Sequence, residues 1–261
     1  MKTYQKIIMI TIIILVIIGI AYLVYGYVRK INEEVKNPVA TIEIQDYGTI
    51  KAELYPDKAP NTVVNFIALA NNGFYDGLTF HRIVPEFMIQ GGDPKGDGTG
   101  SASLSAINKK IEKDSDEDKE YNIKGEFIAN GYTNNDMKFE KGVIAMARSD
   151  YSSLGLAEQG YNSACSQFFI MQADNNNLNG LYASFGKVIE GIEIVDTIAN
   201  LERALETNEE TGETTETEKP VNPPVITSIK VETYGVNYGV PETVEPFDYY
   251  TWLMKNYYGT N

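Results

Sequence analysis

The chain has 261 residues, 36 of them acidic and 22 basic, for a formal net charge of −14. Four of the basic residues (Lys2, Lys6, Arg29, Lys30) fall within the first thirty positions, which hold no acid, so the remainder is more acidic still and no basic patch offsets it. That surface repels phosphate backbones and excludes nucleic acid as a partner, while a single cysteine, Cys165, excludes an intrachain disulfide.

Residues 7–25 read IIMITIIILVIIGIAYLVY, without a charge. As a helix at about 1.5 Å per residue the run spans roughly 28 Å, close to the hydrocarbon thickness of a bilayer. It is apolar on every face, and Tyr22, Tyr25 and Tyr27 stand where an interfacial aromatic belt belongs. The competing reading is a cleaved signal peptide, but the run exceeds the usual ~7–15 apolar residues and no small-x-small site follows it. We expect a short segment at 1–6, an uncleaved transmembrane anchor at 7–27 and a charged linker at 28–37. Basic residues flank both ends of the helix, and Glu33 and Glu34 dilute those after it. The bias places the short end in the cytoplasm and the bulk of the chain outside the cell.

From residue 38 the pattern changes to short strands. Residues 39–44 and 49–55 alternate around the turn Asp46-Tyr47-Gly48 and predict a hairpin. Residues 60–72 (PNTVVNFIALANN) predict a helix, with Pro60 in its first turn, a stripe of Val63, Phe66, Ile67 and Ala70, and Gly73 at its end. Strands follow at 142–147, 166–171, 184–188 and 224–233, and a second helix at 192–201. The glycine-rich 91–100 (GGDPKGDGTG) is a loop that lacks the Gly-Lys-Ser/Thr ending of a phosphate-binding loop. The acidic run 112–120 reads as a solvated loop, without the glycine-centred calcium pattern. Residues 207–219, rich in Glu and Thr, carry no core-forming residue and read as a mobile excursion. Many short strands with two helices favour a closed barrel capped by helices, spanning 38–235. The tail, 236–261, is crowded with aromatics. It either packs back on the barrel or binds a partner or membrane surface.

One stretch concentrates chemistry. Residues 80–93, FHRIVPEFMIQGGD, put a cation, an apolar cluster, an amide and a Gly-Gly pair together. If both halves are strands, Arg82 shares a face with Phe80 and Val84, and Met88 with Gln90. With IKGEF at 123–127, GVIAMARS at 142–149, SQFFIM at 166–171 and FGKV at 185–188, it resembles the cyclophilin family of peptidyl-prolyl isomerases.

The resemblance, over roughly 38–235, implies a mainly β fold, an eight-stranded antiparallel barrel with a helix over each end. It implies rotation about the bond before proline, which needs no metal or cofactor because no bond is broken. The barrier of about 18–20 kcal/mol arises from amide resonance. By the family's logic Arg82 donates hydrogen bonds to the twisting imide, at the nitrogen lone pair and near the carbonyl oxygen, and Gln90 orients Arg82. Phe87, Met88, Phe169 and Leu178 line the proline pocket, Tyr182 contacts substrate, and Ala147, Arg148 and Gln167 lie along the peptide groove. The expected partners are proline-containing segments of unfolded or exported proteins. Many members carry a tryptophan just before the leucine matching Leu178 and a histidine four residues after it. Asn177 and Tyr182 stand there in this chain, and Asn177 weakens the expectation of cyclosporin binding.

A tethered peptide-binding or chaperone module is the alternative from another class. His81 and Cys165 are too few for zinc and lack the third partner of a Cys–His hydrolase. His81 is expected to be a packed, hydrogen-bonded core imidazole facing away from Arg82.

Overall fold

In the computed structural model, residues 3–32, 36–108, 118–209 and 211–259 are described. Most of the acidic run 112–120, part of the linker and the side chain of Tyr27 lie outside the described residues. The chain divides into two compact units, 1–36 and 37–261.

The first unit is helix α1 (Thr3–Asn32). Its segment Tyr4–Gly26 is long and apolar enough to cross a membrane, and its side chains are exposed throughout.

The second unit is mainly β. In chain order it contains β1 (Val39–Ile44), β2 (Gly48–Leu54), α2 (Pro60–Asn71), β3 (Phe80–Val84), β4 (Met88–Gly91), β5 (Val143–Met146), β6 (Phe168–Met171), β7 (Ser184–Glu190) and α3 (Ile192–Ala199). There follow β8 (Arg203–Thr207), β9 (Thr214–Pro220), β10 (Ile226–Glu232) and α4 (Tyr249–Tyr257). Eight strands form one antiparallel sheet in the order β10-β1-β2-β7-β5-β6-β4-β3, curled around a core. Phe66 of α2 is wedged into that core against Phe168 and Phe185, with ring centroids 5.4 and 5.1 Å away. Val195, Ile198 and Ala199 of α3 are buried in the same core.

Of the expected barrel the structure shows a curled eight-stranded sheet, with no continuous ladder between its edge strands, β3 and β10, among the described residues. Just before both strands lies the isolated bridge Thr79–Val225, flanked by hydrogen bonds from Gly77 N–H to Ile226 O (2.8 Å), Ile226 N–H to Leu78 O (2.7 Å) and Phe80 N–H to Pro224 O (3.0 Å). The physical reason lies just before β10, where Pro223 and Pro224 have no N–H to extend the pairing.

Two segments have little core, and the first differs from expectation. Residues 207–219 do not form a structureless excursion. β8 and β9 pair as a separate antiparallel hairpin, in register Leu205–Glu216, Glu206–Thr215 and Thr207–Thr214. Threonine favours the extended backbone whether or not it reaches a core, and Thr217 Oγ1 closes onto Ala204 O at 2.8 Å. The tail is strapped to the domain at its start. Val244 and Asn122 exchange backbone hydrogen bonds of 2.8 and 2.9 Å, and the Asn61 side chain brackets the Glu242 backbone. Beyond it α4, capped by Asp248, leaves Tyr250 and Tyr257 exposed.

Candidate active site

The site is written across β3, β4, β6 and β5. Arg82 pairs with Gln90, Gln90 with Phe169, and Phe169 with Ala145, so these four side chains form one row on one face of the sheet. The next row carries Val84, Met88 and Met171. The opposite face, with Ile83, Ile89 and Ile170, is core. The outer face carries its own apolar cluster, built on Met88, Phe139, Val143, Ala145, Phe169 and Met171.

A cavity of about 270 Å³ opens over this face and is lined by Arg82, Phe87, Met88, Gln90, Ala147, Arg148, Phe169, Leu178 and Tyr182. Every residue assigned from the sequence to the site therefore borders it except Gln167. That residue borders an adjoining cavity of about 200 Å³, shared with Gln90, Ala147 and Arg148. Phe169 forms the floor, stacked on Phe139 (6.1 Å, 19°) and met edge-on by Tyr182 (5.6 Å, 89°).

A directed chain of hydrogen bonds crosses the site. Arg82 Nη1 donates to Gln90 Oε1 at 3.0 Å, and Gln90 Nε2 to Gln167 Oε1 at 2.9 Å. Gln167 Nε2 then donates to the carbonyls of Gly98 and Gly100, at 3.0 and 2.9 Å. Each amide accepts from one side and donates to the other, which fixes both amide orientations. The carbonyls at the end are presented by the glycine-rich loop, which the buried Asp93 organises by accepting from the N–H groups of Lys95, Asp97 and Gly98. A Cβ at Gly100 would sit 2.0 Å from Asp93 Oδ1, so that approach requires glycine.

Several residues of the site escape a reading of the motifs. Phe139 lies in a stretch without periodicity. Phe127 and Tyr161 stand with Tyr182 around the Arg148 guanidinium. Glu218, on β9, accepts from Arg82 Nε at 2.5 Å, although nothing local to the 207–219 sequence marks it as a site residue.

His81 differs from expectation. It is buried, but neither ring nitrogen reaches a hydrogen-bond partner. It alternates with Arg82 along β3, and burial holds its pKa below the ordinary 6.5. Burial also pushes the Cys165 thiol up to about 11, so at neutral pH it is a poor nucleophile.

The cyclophilin-type peptidyl-prolyl cis–trans isomerase/CLD family profile matches residues 39–231, nearly all of the second unit's sheet. The chain belongs to the cyclophilin family. Its class of reaction is peptidyl-prolyl cis–trans isomerisation. The cyclophilin domain is 39% identical over 157 residues to peptidyl-prolyl cis-trans isomerase B of Bacillus subtilis, covering 60% of this chain and 87% of that protein. It is 38% identical over 149 residues to peptidyl-prolyl cis-trans isomerase CYP18-1 of Arabidopsis thaliana, covering 57% of this chain and 75% of that one. A crystal structure of a Cryptosporidium parvum cyclophilin-type isomerase superposes with a TM-score of 0.55 at 27% identity, over 75% of this chain and 98% of that one. The same Cryptosporidium protein solved in the presence of the dipeptide Ala-Pro gives 0.54 at 28% identity, over 74% and 98%.

Proposed function

We propose that this cyclophilin catalyses rotation about X-Pro bonds in unfolded or newly exported protein segments, with Arg82 as the catalytic residue. One observation carries the reading: the Arg82 guanidinium and an apolar cavity walled by Phe87, Met88, Phe169, Leu178 and Tyr182 share one opening. A proline ring seated on Phe169 puts its imide beside Arg82. As the bond twists, resonance is lost and the nitrogen becomes pyramidal and basic. A guanidinium N–H held at that nitrogen stabilises the twisted form more than either planar isomer. Gln90 orients the guanidinium, Gln167 holds Gln90, and Ala147 and Arg148 border the groove for the flanking peptide. The solved relative with Ala-Pro supports the substrate class.

The apolar α1 supports a single-pass anchor, and the basic residues flanking it, diluted after it by Glu33 and Glu34, favour the cyclophilin domain at 38–235 outside the cell membrane. The Thr79–Val225 bridge supports a barrel that closes at that seam. The exposed Asn177 beside Leu178 supports weakened cyclosporin binding.

The test is prolyl exchange in a short Ala-Pro peptide, measured with the full chain in detergent. Acceleration far above the uncatalysed tens to hundreds of seconds, abolished by Arg82→Ala, is expected. No acceleration by a folded protein identifies the groove as a peptide-binding module that does not catalyse.

A further inference from the structure

Arg82 is held from two sides, and only one partner belongs to the strands around it. Nη1 donates to Gln90 Oε1, the start of the chain that ends at the glycine-rich loop. Nε donates to Glu218 Oε2 at 2.5 Å, from the separate β8–β9 hairpin. This hairpin lies outside the eight-stranded sheet, and β9 packs alongside β3. Its base is fixed at several points. Val221 N–H donates to Glu202 O at 2.9 Å, Arg203 pairs with Glu216, and Pro220 is buried. The hairpin therefore delivers Glu218 from a braced position. Between hairpin and loop lies a third cavity of about 220 Å³, bordered by His81, Arg82, Asp97, Thr217, Glu218 and Lys219 among others.

A guanidinium carries five N–H bonds in a rigid plane. With Nε–H on Glu218 and one Nη1–H on Gln90, the plane is fixed by two points, and both Nη2 hydrogens and the second Nη1 hydrogen stay available. A carboxylate bound at Nε thus locks the fork without occupying the edge that a substrate imide would use. An arginine held by Gln90 alone could rotate about that single contact.

We propose, resting on the reading of Arg82 given above, that Glu218 is a positioning residue for isomerisation: the β8–β9 hairpin belongs to the active site and pre-orients the catalytic guanidinium. The gain belongs to the transition state, because the ground-state peptide is held chiefly by the apolar pocket.

The experiment compares the full chain with Glu218→Ala, Glu218→Gln, Arg82→Ala and the hairpin-tip control Glu213→Ala, in detergent, against an Ala-Pro peptide. Glu218→Ala is expected to lower kcat by about three- to tenfold with KM changed by less than about twofold. Glu218→Gln, which still accepts from Nε, is expected to recover most of that loss, and Glu213→Ala to match wild type. The Arg82 Nε–H proton resonance is expected to move upfield and broaden in Glu218→Ala, and thermal unfolding to stay put, since the pair is on the surface. Unchanged kcat in Glu218→Ala, or a rise, overturns the proposal, and a rise identifies Glu218 as a competitor of substrate for Arg82. If Arg82→Ala itself keeps wild-type activity, it is the catalytic reading that fails, an outcome distinct from a silent Glu218.

Discussion

The guanidinium of Arg148 lies 4.5 Å from the ring centroid of Tyr182, at the wall of the cavity over Phe169. It is also within 5.2 Å of the Tyr161 ring and 5.7 Å of the Phe127 ring. Its Nε donates to Leu181 O at 3.0 Å and its Nη1 to Ser149 O at 3.1 Å. Arg148 thus borders the groove while being committed to its aromatic cage, so its first effect is to hold Tyr182 upright against Phe169. Arg148→Ala is expected to raise KM for a proline peptide by about three- to tenfold, because a cation over an aromatic ring contributes on the order of 0.5–2 kcal/mol. Arg148→Lys restores little, since an ammonium cannot stack flat and donate to both carbonyls. Steady-state kinetics on both variants checks this; a kcat loss at constant KM would contradict the assignment.

The second prediction concerns how α2 begins. Its N-cap, Ala59, offers no side-chain acceptor. Glu126, buried and 64 positions beyond Thr62, supplies one: Oε1 accepts from Asn61 N–H at 3.0 Å, and Oε2 from Thr62 N–H and Oγ1 at 2.8 and 2.7 Å. A carboxylate there also complements the positive end of the helix dipole. Glu126→Ala leaves buried donors unpaired and is expected to cost about 3 kcal/mol in denaturant unfolding. Glu126→Gln, which keeps only one accepting oxygen, should cost about half of that. A loss below about 1 kcal/mol for the alanine variant would show that water replaces the cap.

These two relationships mark the limit of what was legible. PNTVVNFIALANN announces α2 because periodicity and a first-turn proline are local signals, and the structure starts and ends the helix within a residue of that reading. In FHRIVPEFMIQGGD, strand alternation gives the faces of Arg82 and of Gln90 separately, while their pairing is what the family resemblance implies, and the register of β3 with β4 sets the two opposite each other. The cap from Glu126, the cage around Arg148 and the approach of Glu218 to Arg82 join residues distant in sequence, and no local pattern encodes such a meeting. The β8–β9 hairpin was missed for a different reason. A hydrophobic criterion sees only strands that bury a face, whereas TTETEKP pairs with exposed residues on both faces. His81 was correctly placed inside but wrongly given a partner, because strand alternation fixes direction and says nothing of what waits there.

That orphaned imidazole predicts a pH dependence. Burial holds the His81 pKa below 6.5; Asp93, the Thr79 backbone and Asp97 act to raise it but do not offset burial, to which repulsion from Arg82 adds. The unfolded chain binds a proton near 6.5, while the folded chain binds it only at lower pH. Stability therefore falls as pH drops from about 6.5 toward the folded value, and levels off below that. Asp118, Asp136 and Asp196, whose pKa values are lowered by hydrogen bonds from Ser103, Lys58 and Lys141 respectively, add a second loss only below their ordinary 3.8. Unfolding free energies from pH 7.5 to 4.5 should decline for the wild type and remain flat for His81→Phe. Parallel curves for the two proteins would refute the assignment.

Asn177 predicts the response to the family's macrocyclic inhibitor. It lies exposed in the one-turn helix Asn176–Leu178, next to Leu178, which lines the cavity; its backbone N–H is held by Asn175 Oδ1 at 3.1 Å. Its side chain offers cyclosporin an amide where many family members offer an indole. Asn177→Trp adds an aromatic wall beside Leu178 without touching Arg82, Gln90 or Gln167. An indole sheltering apolar ligand surface contributes on the order of 1.5 kcal/mol, so cyclosporin affinity should rise by about tenfold, with kcat for the Ala-Pro peptide within about twofold of wild type. Calorimetric titration of cyclosporin into both proteins decides the point. Equal affinities would mean that residue 177 does not govern cyclosporin affinity in this chain.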